Sequence, residues 1–321
     1  MLVPVLLFIV GLVLLIKGGD WFVDGATGLA RRFHIPEIIV GATVVSIGTT
    51  LPEVMVSATA ALNGQGAMAY GNAIGSIICN TSLIAAITLA VRPGPVDTKS
   101  MKMPVIFFFT AAAIYCVAAY FMGEFTRPLG IVLLVMFVIY MVVTVRQGLK
   151  NPASQEESHE DGTEVPLWKE LLLLVVGAAV IALGANLLVD NGTIIARELG
   201  VPETVIALTF VALGTSLPEL VTAITSLVKG HGSLSLGNII GANLFNLVLV
   251  SGVSVTLAPF AVPVGNTICG INSSLVLDIP LMLSVMLLLT VPALTSKKLH
   301  RWQGIVLLGI YAAFCVVQFV L

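Results

Sequence analysis

The chain has 321 residues, of which 58% are hydrophobic and only 10% charged, and its mean hydropathy is +1.06. Soluble domains carry about 25% charged residues, so the composition excludes a soluble fold and gives no basis for a nucleic-acid partner. The net charge of −2 matters less than where the charges fall along the chain.

About 20 apolar residues are needed for a helix to cross the hydrocarbon core. In chain order the sequence offers ten such runs: 4–29, 36–62, 67–91, 103–122, 127–147, 167–195, 202–228, 233–258, 274–294 and 302–320. The first has no basic start and its apolar pattern continues past Gly18, so it reads as a retained span and not as a cleaved signal. The longest polar break, 146–170, is acidic and divides ten spans into two sets of five. The expected organisation is therefore a five-helix repeat at 1–148, a linker at 149–166, and a second five-helix repeat at 167–321. The fold class is an all-α polytopic membrane protein.

Basic residues separate by connection. One alternating set holds twelve (Arg31, Arg32, Arg92, Lys99, Lys102, Arg146, Lys150, Lys169, Lys229, Lys297, Lys298 and Arg301), while the other holds only Arg127 and Arg197. The positive-inside rule then puts the linker in the cytoplasm and both termini outside a cell membrane. Cys79, Cys116, Cys269 and Cys315 all lie in apolar runs and read as small buried hydrophobes. The four histidines fall in polar connections without metal-ligand spacing, Lys17 and Asp20 are placed to form an ion pair, and Asn72 and Asn238 read as helix caps.

The two halves repeat. "IPEIIVGATVVSIGTTLPE" at 35–53 matches "VPETVIALTFVALGTSLPE" at 201–219, and "GNAIGSIICN" at 71–80 matches "GNIIGANLFN" at 237–246, always 166 residues apart. Asp24 and Asp190 keep the same offset. Because each half has an odd number of spans, equivalent helices cross the membrane in opposite directions. Such inverted repeats characterise secondary transporters with a substrate site near the midplane.

The repeated motif carries oxygen. Ser46, Thr50, Glu53 and Ser57 share one helix face, as do Thr215, Glu219 and Thr222, with Ser216 beside them. Pro52 and Pro218 have no N–H and crowd the carbonyl four residues back, freeing main-chain oxygen at Gly48 and Gly214 and disturbing Thr49 and Thr215. Ser76, Asn80 and Asn246 add a hydroxyl and two amide oxygens. Ca²⁺ takes six to eight oxygens, and two carboxylates neutralise one such ion. Ser, Thr and Asn also glue membrane helices together, and that reading stays open for each of them singly. It is a poor account of two midspan glutamates at equivalent positions.

These paired motifs resemble the α-repeats of the cation/calcium antiporter superfamily, in its prokaryotic sodium/calcium exchanger branch. The resemblance covers both motif regions and the ten-span layout. It implies one Ca²⁺ and several Na⁺ sites between the second, third, seventh and eighth helices. Glu53 and Glu219 would be the Ca²⁺ carboxylates, with the Thr49 and Thr215 carbonyls beside them. Thr50, Ser76, Asn80, Ser216 and Asn246 would line the other sites, joined by the main-chain carbonyls of Ser46 and Ala212. It also implies that the first and sixth spans slide over the rest. Two positions depart from the family pattern: Asn246, where many members have aspartate, and Ala242, where many have serine. They bear on ion stoichiometry, on potassium dependence and on one Na⁺ site. The expected partners are Ca²⁺, Na⁺ and the lipid bilayer, with no cofactor and no obligatory protein partner. Rival readings are proton-coupled cation exchange, a passive channel, and an intramembrane enzyme, which lacks a nucleophile–base pair.

Overall fold

Uninterrupted apolar sequence becomes helix because in hydrocarbon the main chain must satisfy its own hydrogen bonds. The computed structural model describes residues 2–150, 166–199, 214–264, 267–268 and 270–320. Its helices are α1 (Leu2–Arg32), α2 (Glu37–Leu62), α3 (Gly66–Val91), α4 (Thr98–Met122), α5 (Arg127–Lys150), α6 (Leu167–Glu198), α7 (Leu217–Val228), α8 (Gly232–Leu257), α9 (Ser274–Ser296) and α10 (Arg301–Val320). Among the described residues, all but α7 are long and apolar enough to span a membrane. Residues 200–213, which include most of the first half of the expected seventh span, lie outside the described residues, as does 151–165 of the expected linker. The only strands among the described residues are two-residue ribbons: β1 (Glu124–Phe125) with β2 (Phe260–Ala261), and β3 (Thr267–Ile268) with β4 (Ile271–Asn272), each antiparallel.

The 166-residue repeat reappears in the packing. The α2–α3 and α7–α8 turns each pivot on a glycine, Gly64 (φ 75°) and Gly230 (φ 88°), in the left-handed region that glycine adopts without strain. Helices α1 and α6 pack antiparallel through a glycine seam. A methyl at Gly11 would meet the Gly184 carbonyl oxygen at 2.9 Å, and one at Gly18 would meet the Gly177 carbonyl oxygen at 3.0 Å. Only glycine lets backbones come so near. Gly11 and Gly177 are 166 apart, as are Gly18 and Gly184, so exchanging the halves maps one contact onto the other. Equivalent helices therefore run in opposite directions, as the odd span count requires. Likewise Gly130 of α5 nests against Gly252 and Thr256 of α8, and Gly304 of α10 against Ala86 and Ala90 of α3; the α3 positions are those of α8 less 166, whereas the two glycines are 174 apart.

Burial sorts the helices. The most apolar stretch of α8 is 83% buried, against 22% for α1 and 17% for α10. Helices α2, α3, α7 and α8 form the centre, every pair among them in contact, and α1 and α6 lie across α2 and α7. Leu6, Ile9, Val13, Leu171 and Val175 remain exposed on the outer faces of α1 and α6, where lipid is their natural solvent.

Contacts gather the basic residues at one end of the bundle. There Arg32 meets Glu170 at 3.7 Å, Arg92 donates to the Leu227 carbonyl at 3.1 Å, and Pro95 bridges to Lys298. At the other end Arg127 donates to the Thr256 carbonyl beside the β1–β2 ribbon. The expected Lys17–Asp20 pair does not form. Lys17 is exposed, and it is Lys229 that reaches the carboxylates of Asp24 at 2.6 Å and Asp20 at 3.5 Å, because the α7–α8 turn lies beside α1. Cys79, Cys116 and Cys315 are free thiols, and Cys269 lies outside the described residues.

Candidate cation site

Proline decides the local shape of each motif helix, and differently in each half. Helix α2 continues straight through Pro52, so the Gly48 carbonyl loses its partner inside a helix. In the second half the chain turns at Thr215 and Ser216 and α7 starts at Leu217, placing Pro218 in the first turn, where its missing N–H costs nothing. Glu219 thus rides on the first turn of a helix and Glu53 in the middle of one.

Helices α3 and α8 each contain a widened turn, at Asn80–Ala85 and Asn246–Val250. Such π turns cluster at functional sites, and here each opens on the asparagine singled out from the sequence. The turn in α3 packs on α7 and α8, and the turn in α8 packs on α2 and α3. A third widened turn, Gly41–Val45, lies just ahead of Ser46 in α2.

Nine of the eleven residues expected at the site are buried: Ser46, Thr49, Thr50, Glu53, Ser76, Asn80, Ser216, Glu219 and Asn246. Thr215 is half-buried, and Ala212 lies outside the described residues. The Glu53 and Glu219 side chains are close enough for their charges to act on one another, and Thr49 and Thr50 flank the Glu219 carboxyl. Both glutamates are 0% exposed, yet none of their four carboxyl oxygens has a hydrogen-bond partner. Thr50 Oγ1, Ser216 Oγ, Asn80 Oδ1, Asn246 Oδ1 and Thr222 Oγ1 are equally buried and unpartnered. Buried polar atoms are almost always paired, and an unpaired buried charge is costlier still. Two buried carboxyls, with further orphaned oxygens on the same four central helices, form a donor set that a desolvated hard cation would complete. Among the described residues no group of three or more His, Cys, Asp or Glu side chains converges, so most donors here are neutral oxygens.

The Ser46 hydroxyl, as distinct from the main-chain carbonyl expected at the site, is occupied elsewhere. It donates toward the Gly41 carbonyl at 2.8 Å and toward the Asn238 carbonyl at 3.0 Å. Asn238 and Asn72 are not caps. Their helices begin at Gly232 and Gly66, six residues earlier, and both asparagines turn inward. Asn238 Oδ1 accepts from Thr49 Oγ1 at 3.2 Å, and Asn72 Nδ2 donates to Ser57 Oγ at 2.8 Å and to the Glu53 carbonyl at 3.3 Å. A second polar bridge escaped the sequence reading: Asn243 of α8 donates to Thr81 Oγ1 of α3 at 2.7 Å. Position 77, its equivalent, is isoleucine, so the repeat gave no signal for it.

A sequence-family model for sodium/calcium exchanger proteins matches residues 3–146 and 169–320, which is nearly the whole chain. The chain belongs to the sodium/calcium exchanger family. Within the cation/calcium antiporter superfamily this exchanger is similar to the inner membrane protein YrbG of Escherichia coli, 37% identical over 272 residues and 81% of each chain. It is 29% identical over 350 residues to the sodium/calcium exchanger MaX1 of Methanosarcina acetivorans, covering 98% of each. The solved structure of the sodium-calcium exchanger NCX_Mj superposes with a TM-score of 0.80 at 32% identity over 97% of both chains. A shorter stretch, 158 residues, is 32% identical to the human sodium/potassium/calcium exchanger 4, covering 46% of this chain and 24% of that one.

Proposed function

We propose that this exchanger moves Ca²⁺ against Na⁺ by alternating access, with the ions held between α2, α3, α7 and α8. The observation that carries the reading is the pair of fully buried, unpartnered glutamates at equivalent points of an inverted repeat. Glu53 and Glu219 supply the charge. The Thr49 and Thr215 carbonyls, the Thr50 and Ser216 hydroxyls, and the Asn80 and Asn246 amide oxygens supply neutral donors. Ser76 and the main chain at Ser46 and Ala212 complete the lining.

Coupling follows from desolvation. Two buried carboxylates are neutralised by one Ca²⁺ or by two Na⁺, whereas the empty, doubly negative site is expensive to enclose. The moving helices close over a loaded site more readily than over a bare one, and this links the two fluxes. In this mechanism α1 and α6 are the moving pair, and they slide over the apolar faces of α2 and α7 on which they rest. The basic end of the bundle, with the linker, faces the cytoplasm, and both termini face outward.

Sodium-gradient-driven uptake of radiolabelled Ca²⁺ into proteoliposomes tests the reading, with Na⁺, K⁺ and pH varied separately. Uptake that needs Na⁺ and is lost in Glu53→Gln and Glu219→Gln supports it. Normal uptake by either variant removes the site assignment. Uptake driven by a pH gradient without Na⁺ replaces sodium by protons, which the same two carboxyls are chemically able to carry.

A further inference from the structure

Asn72 and Asn238 are equivalent in the repeat, yet both direct their amides to α2. Two alanines bear on this. In its own half Asn72 meets the Ser57 hydroxyl, but position 223, the equivalent of Ser57, is alanine, so Asn238 has no such partner on α7. It reaches across the repeat boundary to Ser46 and Thr49 instead. Position 212, the equivalent of Ser46, is also alanine, while position 215, the equivalent of Thr49, is threonine.

The result is a clamp on one helix. Asn238 is 0% exposed. Its Oδ1 accepts from Thr49 Oγ1 at 3.2 Å, and the single proton of the Ser46 hydroxyl is shared among the Gly41 carbonyl at 2.8 Å, the Asn238 carbonyl at 3.0 Å and Asn238 Oδ1 at 3.3 Å. The hydroxyl protons of Ser46 and Thr49 are committed to α8 and to the α2 backbone, which fixes the turn whose carbonyls border the cage. One turn on, Asn72 holds the Glu53 carbonyl. Position 238 is therefore linked to α2 at the turn preceding Pro52, where the helix has lost a backbone bond and is easiest to deform.

We propose that Asn238 is a positioning residue for the cation cage: it sets the Ser46–Thr49 turn, and through it Ca²⁺ affinity, without itself being a ligand. The proposal rests on the reading that Glu53 and Glu219 bind the ion.

The test uses the full chain in proteoliposomes and reads the KM for Ca²⁺ and the maximal rate separately. Asn238→Leu keeps the number and branching of heavy atoms but loses the acceptor, and should raise KM about tenfold with the maximal rate changed less than about twofold. Asn238→Asp keeps the acceptor and should leave KM within about threefold or lower it. Thr49→Val should raise KM by itself and add little to Asn238→Leu, since both remove the bond from Thr49 Oγ1 to Asn238 Oδ1. Equal KM effects of Leu and Asp would mean packing alone and would overturn the proposal, as would fully additive effects of Thr49→Val and Asn238→Leu. If Asn238→Leu does not give folded protein by size exclusion, Ser46→Ala and Ser46→Ala/Thr49→Val decide, and an unchanged KM in both overturns it. Failure of the parent reading shows separately, as normal transport in Glu53→Gln with Asn238 intact.

Discussion

The two copies of the motif differ more in shape than in sequence. "GTTLPE" sits inside a continuous helix, whereas "GTSLPE" turns at Thr215 and Ser216 and starts a new helix at Leu217. Only one residue separates the two strings, so the motif alone does not set its conformation. What differs is the support. The turn before the first copy is stitched to α8 through Ser46, and the second copy has Ala212 where Ser46 would be. The helix interrupted by Pro52 keeps its course while a neighbouring helix takes up its hydroxyls. The comparison teaches that an inverted repeat can duplicate its glutamates and asparagines while positioning them through contacts that are not duplicated.

The largest effect expected from breaking this comparison is at its shared core. Glu53→Gln or Glu219→Gln each removes one charge of a buried pair and should lower Ca²⁺ transport by about 100-fold or more, measured in proteoliposomes. Unequal residual activities would show that a glutamate in mid-helix and one in the first turn of a helix do not contribute alike. Next comes the α1–α6 seam. A methyl at Gly177 would stand 2.6 Å from the Phe22 amide nitrogen, whereas one at Gly75 would meet nothing within 4 Å. Gly177→Leu should lower the thermal midpoint in detergent by about 5 °C, and Gly75→Leu should leave it unchanged.

Asn246→Asp and Asn80→Asp probe the two widened turns that open on asparagine. Each adds a third negative charge to the cage and should lower half-saturating Na⁺ about tenfold in a transport titration. A response to only one of them marks where sodium prefers to sit. The smallest effect belongs to the exposed cluster that ties α7 to α1. Lys229→Ala breaks contacts to Asp24, itself 54% exposed, and should cost less than about 1 kcal/mol by thermal unfolding.

Much of this was legible in the sequence. Helix positions followed from apolar run length, and the repeat from a gapless offset of 166. The glutamates stood out because a charge in a membrane helix needs a reason. The widened turns did not stand out, because "NTSLIA" and "NLVLV" read as ordinary apolar helix. Nor did the inward roles of Asn72 and Asn238. Ser57 is 15 residues from Asn72, and Ser46 is 192 from Asn238, separations at which a sequence shows composition but no contact. The Lys229 pairing was missed for the same reason: the nearest acid in sequence is not the nearest in space.

The glycine seam carries one last consequence. Gly11 with Gly184 and Gly18 with Gly177 form a self-complementary surface, the property that defines the interface of a twofold homodimer. Here both partners belong to one polypeptide, and covalent linkage frees each from having to match the other. A true homodimer places the same side chain at 46 in both subunits, and any change there is made twice. Within a single chain one partner can hold serine and the other alanine, so one half is able to brace the site while the other is left to bend.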